Sequence, residues 1–189
     1  MISIGLGLLL SACSDGVHWQ TKGIAGLTKP LHFTLTADGG HQVSAQDYLG
    51  HIALVYFGYT HCPDVCPTTL AKLKAAIDRL PESMAKDVRV LFVSVDPKRD
   101  GLERLRSYTA AFGPQFVGLR GNHEQLTKIT KRYRIGYGYD EPDASGDYEV
   151  SHSSAVFVFD QTGDARFLIR TADQVHSIAA DLKQLARQA

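Results

Sequence analysis

The stretch that most restricts how this chain can fold is an apolar run that breaks into a cysteine-bearing turn. His51 to Phe57 reads as a buried strand; Gly58-Tyr59-Thr60-His61-Cys62-Pro63-Asp64-Val65-Cys66-Pro67 follows as a turn, and helical periodicity begins after Pro67. Two cysteines therefore fall where a strand ends and a helix begins, the place where an α/β sheet presents its functional groups. Pro67 suits a first helical turn, where a missing N–H is no loss. Cys66 is then expected at the helix N-terminus, where the dipole and free N–H groups favour a thiolate.

The spacing Cys62-x-x-x-Cys66 puts both side chains on one face of a helix, separated by a rise of roughly 6 Å. Three readings stand open. A chance pair of buried cysteines fits poorly, because two prolines and an aspartate make a poor core segment. A structural disulfide would close a very short loop and contribute little chain-entropy stabilisation. The third reading is a pair that exchanges disulfides or holds a soft metal ion.

Upstream, Met1 to Leu10 is apolar but too short to span a bilayer as a helix. It ends in Leu10-Ser11-Ala12-Cys13, which resembles a bacterial lipoprotein signal cut so that Cys13 becomes the lipidated first residue; no Lys or Arg precedes the run, as such a signal would carry. On this reading residues 1–13 are removed or lipidated and residues 14–30 form a tether. Residues 31–189 then fold outside the cytoplasm, where a cysteine pair can be oxidised. Cys13 leaves the chemistry, and Cys62 and Cys66 remain as the pair. With only three cysteines the chain is no disulfide scaffold. Twenty basic residues balance twenty acidic ones, which argues against a nucleic-acid partner.

The rest of the chain reads as a single α/β domain. His32–Thr36 and His41–Ser44 form a hairpin around Asp38-Gly39-Gly40, and Ala45–Leu49 is a short helical turn behind Ser44. After the cysteine turn come a helix over Thr68–Leu80, a strand over Val88–Val95, a helix over Gly101–Phe112 and a short strand over Phe116–Leu119. Asn122 caps a helix reaching about Arg134. Ile135–Asp147, rich in Gly, Tyr, Asp and Pro, reads as a long loop near the site. Tyr148–Ser151 and Ser154–Asp160 are strand segments around His152. Ala165–Arg170 pairs back, and Asp173–Arg187 is the last helix. A parallel βαβ core with an antiparallel hairpin and a Cys turn before the first long helix is a thioredoxin-like arrangement with an added N-terminal β-hairpin. Thioredoxins place a cis-proline just before the penultimate strand; here that neighbourhood holds His152.

Three blocks carry a family resemblance. Tyr56-Phe57-Gly58-Tyr59-Thr60-His61-Cys62-Pro63-Asp64-Val65-Cys66-Pro67 resembles the signature of the Sco/SenC proteins, copper chaperones for assembly of the CuA centre of cytochrome c oxidase. Val93-Ser94-Val95-Asp96-Pro97-Lys98-Arg99-Asp100 resembles their second block and Tyr148-Glu149-Val150-Ser151-His152-Ser153 their third. The likeness runs from about Phe33 to the end. It implies that Cys62, Cys66 and His152 are copper ligands, for Cu(I) or Cu(II). It also implies a membrane-tethered domain on the periplasmic side that passes copper to a cytochrome c oxidase subunit or another copper chaperone. Ser151 departs from the pattern, since family members commonly carry Asp there.

Two thiolates select Cu(I), and an imidazole adds a donor that also suits Cu(II). Binding requires both cysteines reduced. The competing function is a thiol–disulfide oxidoreductase acting on partner cysteines through the same pair. A peroxidase would need an activated Cys with Thr60 or Arg120 beside it, and zinc would need a fourth ligand. His61 adjoins Cys62, but adjacent residues seldom point the same way. Asp96 and Asp100 flank Pro97 as helix-terminal charges or a partner contact. Asp64 is placed to tune the cysteines or meet a partner, and Tyr137 and Tyr139 to shield the site or pack.

Overall fold

The computed structural model describes residues 18–188. The lipoprotein reading of Cys13 lies outside them. In chain order the elements are β1 (Lys22–Gly23), β2 (Thr34–Ala37), β3 (Gln42–Ser44), a 3-10 turn (Ala45–Tyr48), β4 (Ile52–Gly58), α1 (Val65–Ile77), α2 (Glu82–Ala85), β5 (Val88–Ser94), α3 (Leu102–Ala110), β6 (Phe116–Arg120), α4 (His123–Tyr133), β7 (Tyr137–Tyr139), β8 (Val150–His152), β9 (Val156–Phe159), β10 (Ala165–Ile169) and α5 (Val175–Ala186).

Eight strands form one sheet in the order β1-β10-β9-β4-β5-β6-β2-β3, and β7 and β8 form a separate two-stranded ribbon. All seven residues of β4 are buried. The run is apolar without alternation because a central strand with layers on both faces has no solvent side. β4 and β5 pair in parallel, with Gly58 opposite Ser94, so the cysteine turn and the Asp96–Asp100 loop leave the sheet at the same edge. β9 runs antiparallel to β4 with Val156 opposite Tyr56, which brings the start of β9 to that same edge. α1 and α5 pack against each other, and α3 lies beside β6. This is the thioredoxin-like arrangement expected, and the hairpin β2–β3 extends it by antiparallel pairing of β2 with β6.

Three local expectations meet a different outcome. The helix after the cysteine turn spans Val65–Ile77 instead of Thr68–Leu80, with Cys66 and Pro67 in its first turn as expected. The stretch 14–30 includes a sheet edge: Lys22 and Gly23 pair with Leu168 and Phe167 of β10. Trp19 stacks against Phe167 with ring centroids 4.8 Å apart, and the N–H groups of Gln20 and Thr21 donate to the buried Asp181 carboxylate at 2.9 and 2.8 Å. Finally, Tyr137-Gly138-Tyr139, within the expected loop, is a strand paired with β8, with Tyr137 opposite His152. Its Gly and turn-forming neighbours disguise it, and its partner lies more than ten residues away. Among the described residues no helix is long and apolar enough to cross a membrane.

Candidate metal centre

Strand β4 ends at Gly58, where only glycine fits: a Cβ there would lie 2.8 Å from Cys66 Sγ and 2.7 Å from Phe92 Cε2. The chain then turns. Cys62 N–H donates to Tyr59 O at 3.3 Å, and Thr68 N–H donates to Asp64 O at 3.1 Å as α1 begins. Cys66 N–H donates to Cys62 Sγ at 3.4 Å, so the sulfur facing the helix N-terminus is that of Cys62. Cys66 Sγ turns inward and is fully buried, whereas Cys62 is half-buried; both are free thiols. Burial pushes the Cys66 thiol up to about 12, against smaller opposing effects of hydrogen bonds from Tyr59 and Tyr56. The expectation of a helix-stabilised thiolate at Cys66 is therefore corrected, because desolvation of the charged form outweighs the dipole.

His152 ends β8 and reaches the cysteines from the opposite side of the cleft. Its Nε2 lies 3.3 Å from Cys66 Sγ, and its Nδ1 lies 3.0 Å from the Ser153 carbonyl. A carbonyl can only accept, so Nδ1 carries the proton and Nε2 keeps its lone pair towards the sulfurs. Burial lowers the imidazole pKa, and the Ser153 carbonyl opposes this. The ring edges of Tyr59 (5.8 Å between centroids) and Tyr56 (6.1 Å) hold its plane. One donor atom each from Cys62, Cys66 and His152 lie within 4.8 Å of one another. Thiolate and imidazole bonds of roughly 2.0–2.3 Å to a first-row metal leave donors in a trigonal set roughly 3.5–4 Å apart, so the three groups fit a single ion. Two sulfurs and one nitrogen form a soft, low-coordinate set.

The carboxylates sort by burial. Asp96 and Asp100 are fully buried, which removes the reading of either as a partner contact. Asp100 accepts from Thr60 N–H at 3.0 Å, Thr60 Oγ1 at 2.6 Å and Ser94 Oγ at 2.6 Å, with His61 Nδ1 at 3.5 Å. It thereby ties the cysteine turn to the end of β5. Asp96 accepts from Arg99 Nε at 2.5 Å and from the Tyr148 hydroxyl at 2.9 Å. Arg99 also reaches Asp147 and stacks 3.6 Å over the Tyr148 ring, pinning the loop before β8. Asp64 is exposed and accepts from Thr68 Oγ1 at 3.2 Å.

The remaining candidates lie away from the sulfurs. His61 faces Asp100 and Thr60. The Thr60 hydroxyl is committed to Asp100, and Arg120 donates to Pro97 O at 2.7 Å, so neither attends a cysteine as a peroxidase would need. Tyr139 donates to Val95 O at 2.6 Å, and Tyr137 packs edge-on against it. Ser151 Oγ donates to Gly138 O at 3.3 Å across the ribbon. Tyr59 and the Ser153 carbonyl were not singled out in sequence. Gly58, expected to open the turn, instead ends β4, and its missing side chain is the sign of the close approach of Cys66.

Comparison with known proteins agrees with this geometry. A sequence model of the SCO1/SenC family matches residues 25–187. An Arabidopsis thaliana protein, described as Protein SCO1 homolog 1, mitochondrial, is 40% identical over 126 residues, covering 67% of this chain and 37% of that protein. The chain thus spans little more than a third of that relative's length. The crystal structure of Arabidopsis thaliana ScoI with copper bound has a TM-score of 0.78 and 33% identity, covering 85% of this chain and 99% of that one. A SCO1/SenC family lipoprotein from Bacillus anthracis has a TM-score of 0.70 and 26% identity, covering 89% of this chain and 99% of that one.

Proposed function

The chain belongs to the SCO1/SenC family, and from that premise we propose that it is a copper carrier. Copper is its cargo, held by Cys62 Sγ, Cys66 Sγ and His152 Nε2. The observation that carries this reading is the convergence of these three donors within 4.8 Å. Two thiolates give tight Cu(I) binding, and three ligands leave a side open for an acceptor's ligand to attack. Cys62 is the accessible sulfur and so the one an incoming ligand meets first. Loading expels the thiol protons, and oxidation of the pair to a disulfide switches binding off. The acceptor that the family resemblance names is the CuA centre of cytochrome c oxidase; another copper chaperone is the other candidate partner.

Thiol–disulfide exchange with a partner is the weaker use of this pair. The Cys-x-x-x-Cys spacing and a histidine where thioredoxins carry their cis-proline both depart from what efficient dithiol exchange uses.

The test is an anaerobic Cu(I) titration of the reduced protein against a competing chelator, repeated with His152→Ala. The native protein is expected to take up one tight equivalent. The variant is expected to keep Cu(I) within roughly tenfold, about 1.4 kcal/mol, because both thiolates remain. It is expected to lose Cu(II) far more, because the imidazole is the harder donor. Equal loss of both states would argue against this selective role, and unchanged affinity for both would remove His152 from the ligand set.

Lipidation of Cys13 would hold the domain at the periplasmic face of a bacterial membrane; the Leu10-Ser11-Ala12-Cys13 pattern and the lipoprotein relative support this. Cys13→Ser is expected to move the full chain from the membrane to the soluble fraction, and unchanged fractionation would dismiss the anchor.

A further inference from the structure

Residues 140–149 join β7 to β8, and a hollow lies on either side of this loop. The first, of about 460 Å³, is walled by Pro97, Tyr139, Pro142 and Tyr148, with Lys98, Asp140 and Glu141 beside them. That volume falls in the range of binding clefts, roughly 300–1,000 Å³. The second is lined by the loop and by Tyr59, His61 and Pro63 of the cysteine turn, which bracket Cys62. Tyr139 is 51% exposed. Its hydroxyl donates to Val95 O at 2.6 Å and its ring meets that of Tyr148 edge-on, 6.0 Å between centroids. The ring is therefore already held in place and loses little freedom when something covers it. Charge is unevenly placed as well. The whole chain balances twenty basic against twenty acidic residues, yet the loop carries five carboxylates and no Lys or Arg. Asp147 is paired with Arg99, and Asp143 accepts from the N–H groups of Ser145 and Asp147 within its own turn. Asp140, Glu141 and Glu149 are exposed and enter no ion pair among the described residues.

We propose that this face docks the protein that takes the copper, and that the acceptor's own metal site is rimmed by Lys or Arg and by an apolar side chain. The inference rests on the copper reading above and specifies the partner's chemistry. The apolar side chain enters the hollow of Pro97, Tyr139, Pro142 and Tyr148. The cations meet Asp140, Glu141 and Glu149. Because the second hollow shares a wall with the cysteine turn, a partner seated on the loop has its ligands beside Cys62, the half-buried sulfur. Unpaired negative charge beside the site draws a cationic partner and turns away an acidic one. It acts over about 10 Å at 0.1 M salt, so it selects and orients the partner before any ligand exchange begins. The apolar contact then sets how long the pair stays together.

The experiment follows anaerobic Cu(I) transfer from the loaded protein to three synthetic peptides that carry the same pair of cysteines. One is flanked by lysines and a leucine, the second by the same lysines with serine in place of leucine, and the third by glutamates and the leucine. Quenched samples are separated by size and copper is measured in each fraction. At low salt the lysine–leucine peptide is expected to take copper about tenfold faster than the glutamate peptide, and the gap is expected to close near 1 M salt, where screening acts within about 3 Å. The lysine–serine peptide is expected to be about fivefold slower than its leucine counterpart at either salt. The triple variant Asp140→Asn, Glu141→Gln, Glu149→Gln is expected to bring the lysine–leucine rate down to that of the glutamate peptide. Its Cu(I) affinity in chelator competition is expected to stay native, because none of the three is a copper donor. A control triple, Glu82→Gln, Asp87→Asn, Asp164→Asn, removes the same charge ahead of β5 and β10, at the opposite edge of the sheet. It is expected to transfer at the native rate.

Equal rates for the lysine and glutamate peptides overturn the proposal. So does an equal slowing in the two triple variants, which marks a field of the whole protein with no local face. Equal rates for the leucine and serine peptides remove the apolar hollow from it. A dimer in analytical ultracentrifugation that the loop variant dissolves would give the face a second copy of this chain as its occupant, and overturns the proposal as well. Failure of the native protein to bind Cu(I) defeats the carrier reading itself. A protein that loads copper and delivers it to every peptide alike defeats the docking face alone.

Discussion

Cys66→Ser is expected to abolish tight Cu(I) binding while leaving the fold in place. Serine is nearly isosteric and its hydroxyl is neutral, so the first turn of α1 and its packing on Gly58 and Phe92 survive. A hydroxyl is a hard donor that stays protonated, and it cannot replace a thiolate on a soft ion. The set falls to one half-exposed sulfur and one imidazole. A loss of at least roughly a thousandfold is expected, about 4 kcal/mol at 1.4 kcal/mol per factor of ten. The check is chelator competition under anaerobic conditions, with far-ultraviolet circular dichroism to confirm the fold. A tight equivalent that survives in Cys66→Ser would place the copper elsewhere.

Asp100→Ala is expected to have the largest effect on stability among substitutions near the site. The carboxylate is fully buried and accepts three hydrogen bonds from Thr60 and Ser94. Its removal strands a backbone N–H and two hydroxyls in the interior. Leaving buried polar partners unsatisfied costs about 3–5 kcal/mol, or roughly 6–20 °C of melting temperature for a domain of this size. The damage is also local to function, because Thr60 stands two residues before Cys62 and loses the tie that fixes the start of the cysteine turn. Cu(I) affinity is therefore expected to fall in Asp100→Ala although no ligand has been touched. Asp100→Asn keeps the volume and part of the acceptor capacity, and is expected to lie between the native protein and alanine. A melting temperature within about 2 °C of native in Asp100→Ala would refute the clamp.

The two aspartates of the Asp96–Asp100 loop show why charge alone misleads in sequence. Carboxylates flanking a proline after a strand read as exposed helix-terminal charges, because most carboxylates are exposed. Their burial follows from what closes over them: Arg99 of the same loop, and Tyr148 and the Thr60 turn, brought in from two distant stretches. Cys66 shows the same limit in its chemistry. The helix N-terminus is a local feature, and residue type and spacing place Cys66 there. The desolvation that overrides it depends on β4, whose Tyr56 and Gly58 face the sulfur. The strand Tyr137–Tyr139 looks like loop in sequence for a related reason: a short strand exists only through its partner, here Val150–His152.

The apolar run of β4, the turn residues after it and the periodicity of α1 made a strand–turn–helix unit legible, and with it the shared face of Cys62 and Cys66. These features are local, and backbone geometry ties them to residue type and spacing. The capped helix at Asn122, where side chain and backbone of Asn122 and Gln125 bond reciprocally at 2.9 Å, was legible on the same ground. His152 is of another kind. It stands 86 residues from Cys66, and no periodicity connects them; family resemblance named it. Its place against the sulfurs follows from the antiparallel pairing of β9 with β4, which returns the chain to the edge where the cysteine turn departs. The proton on Nδ1, the depth of Cys66 and the commitment of Asp100 to Thr60 all follow from that packing, because hydrogen-bond partners and dielectric surroundings come from groups distant in sequence.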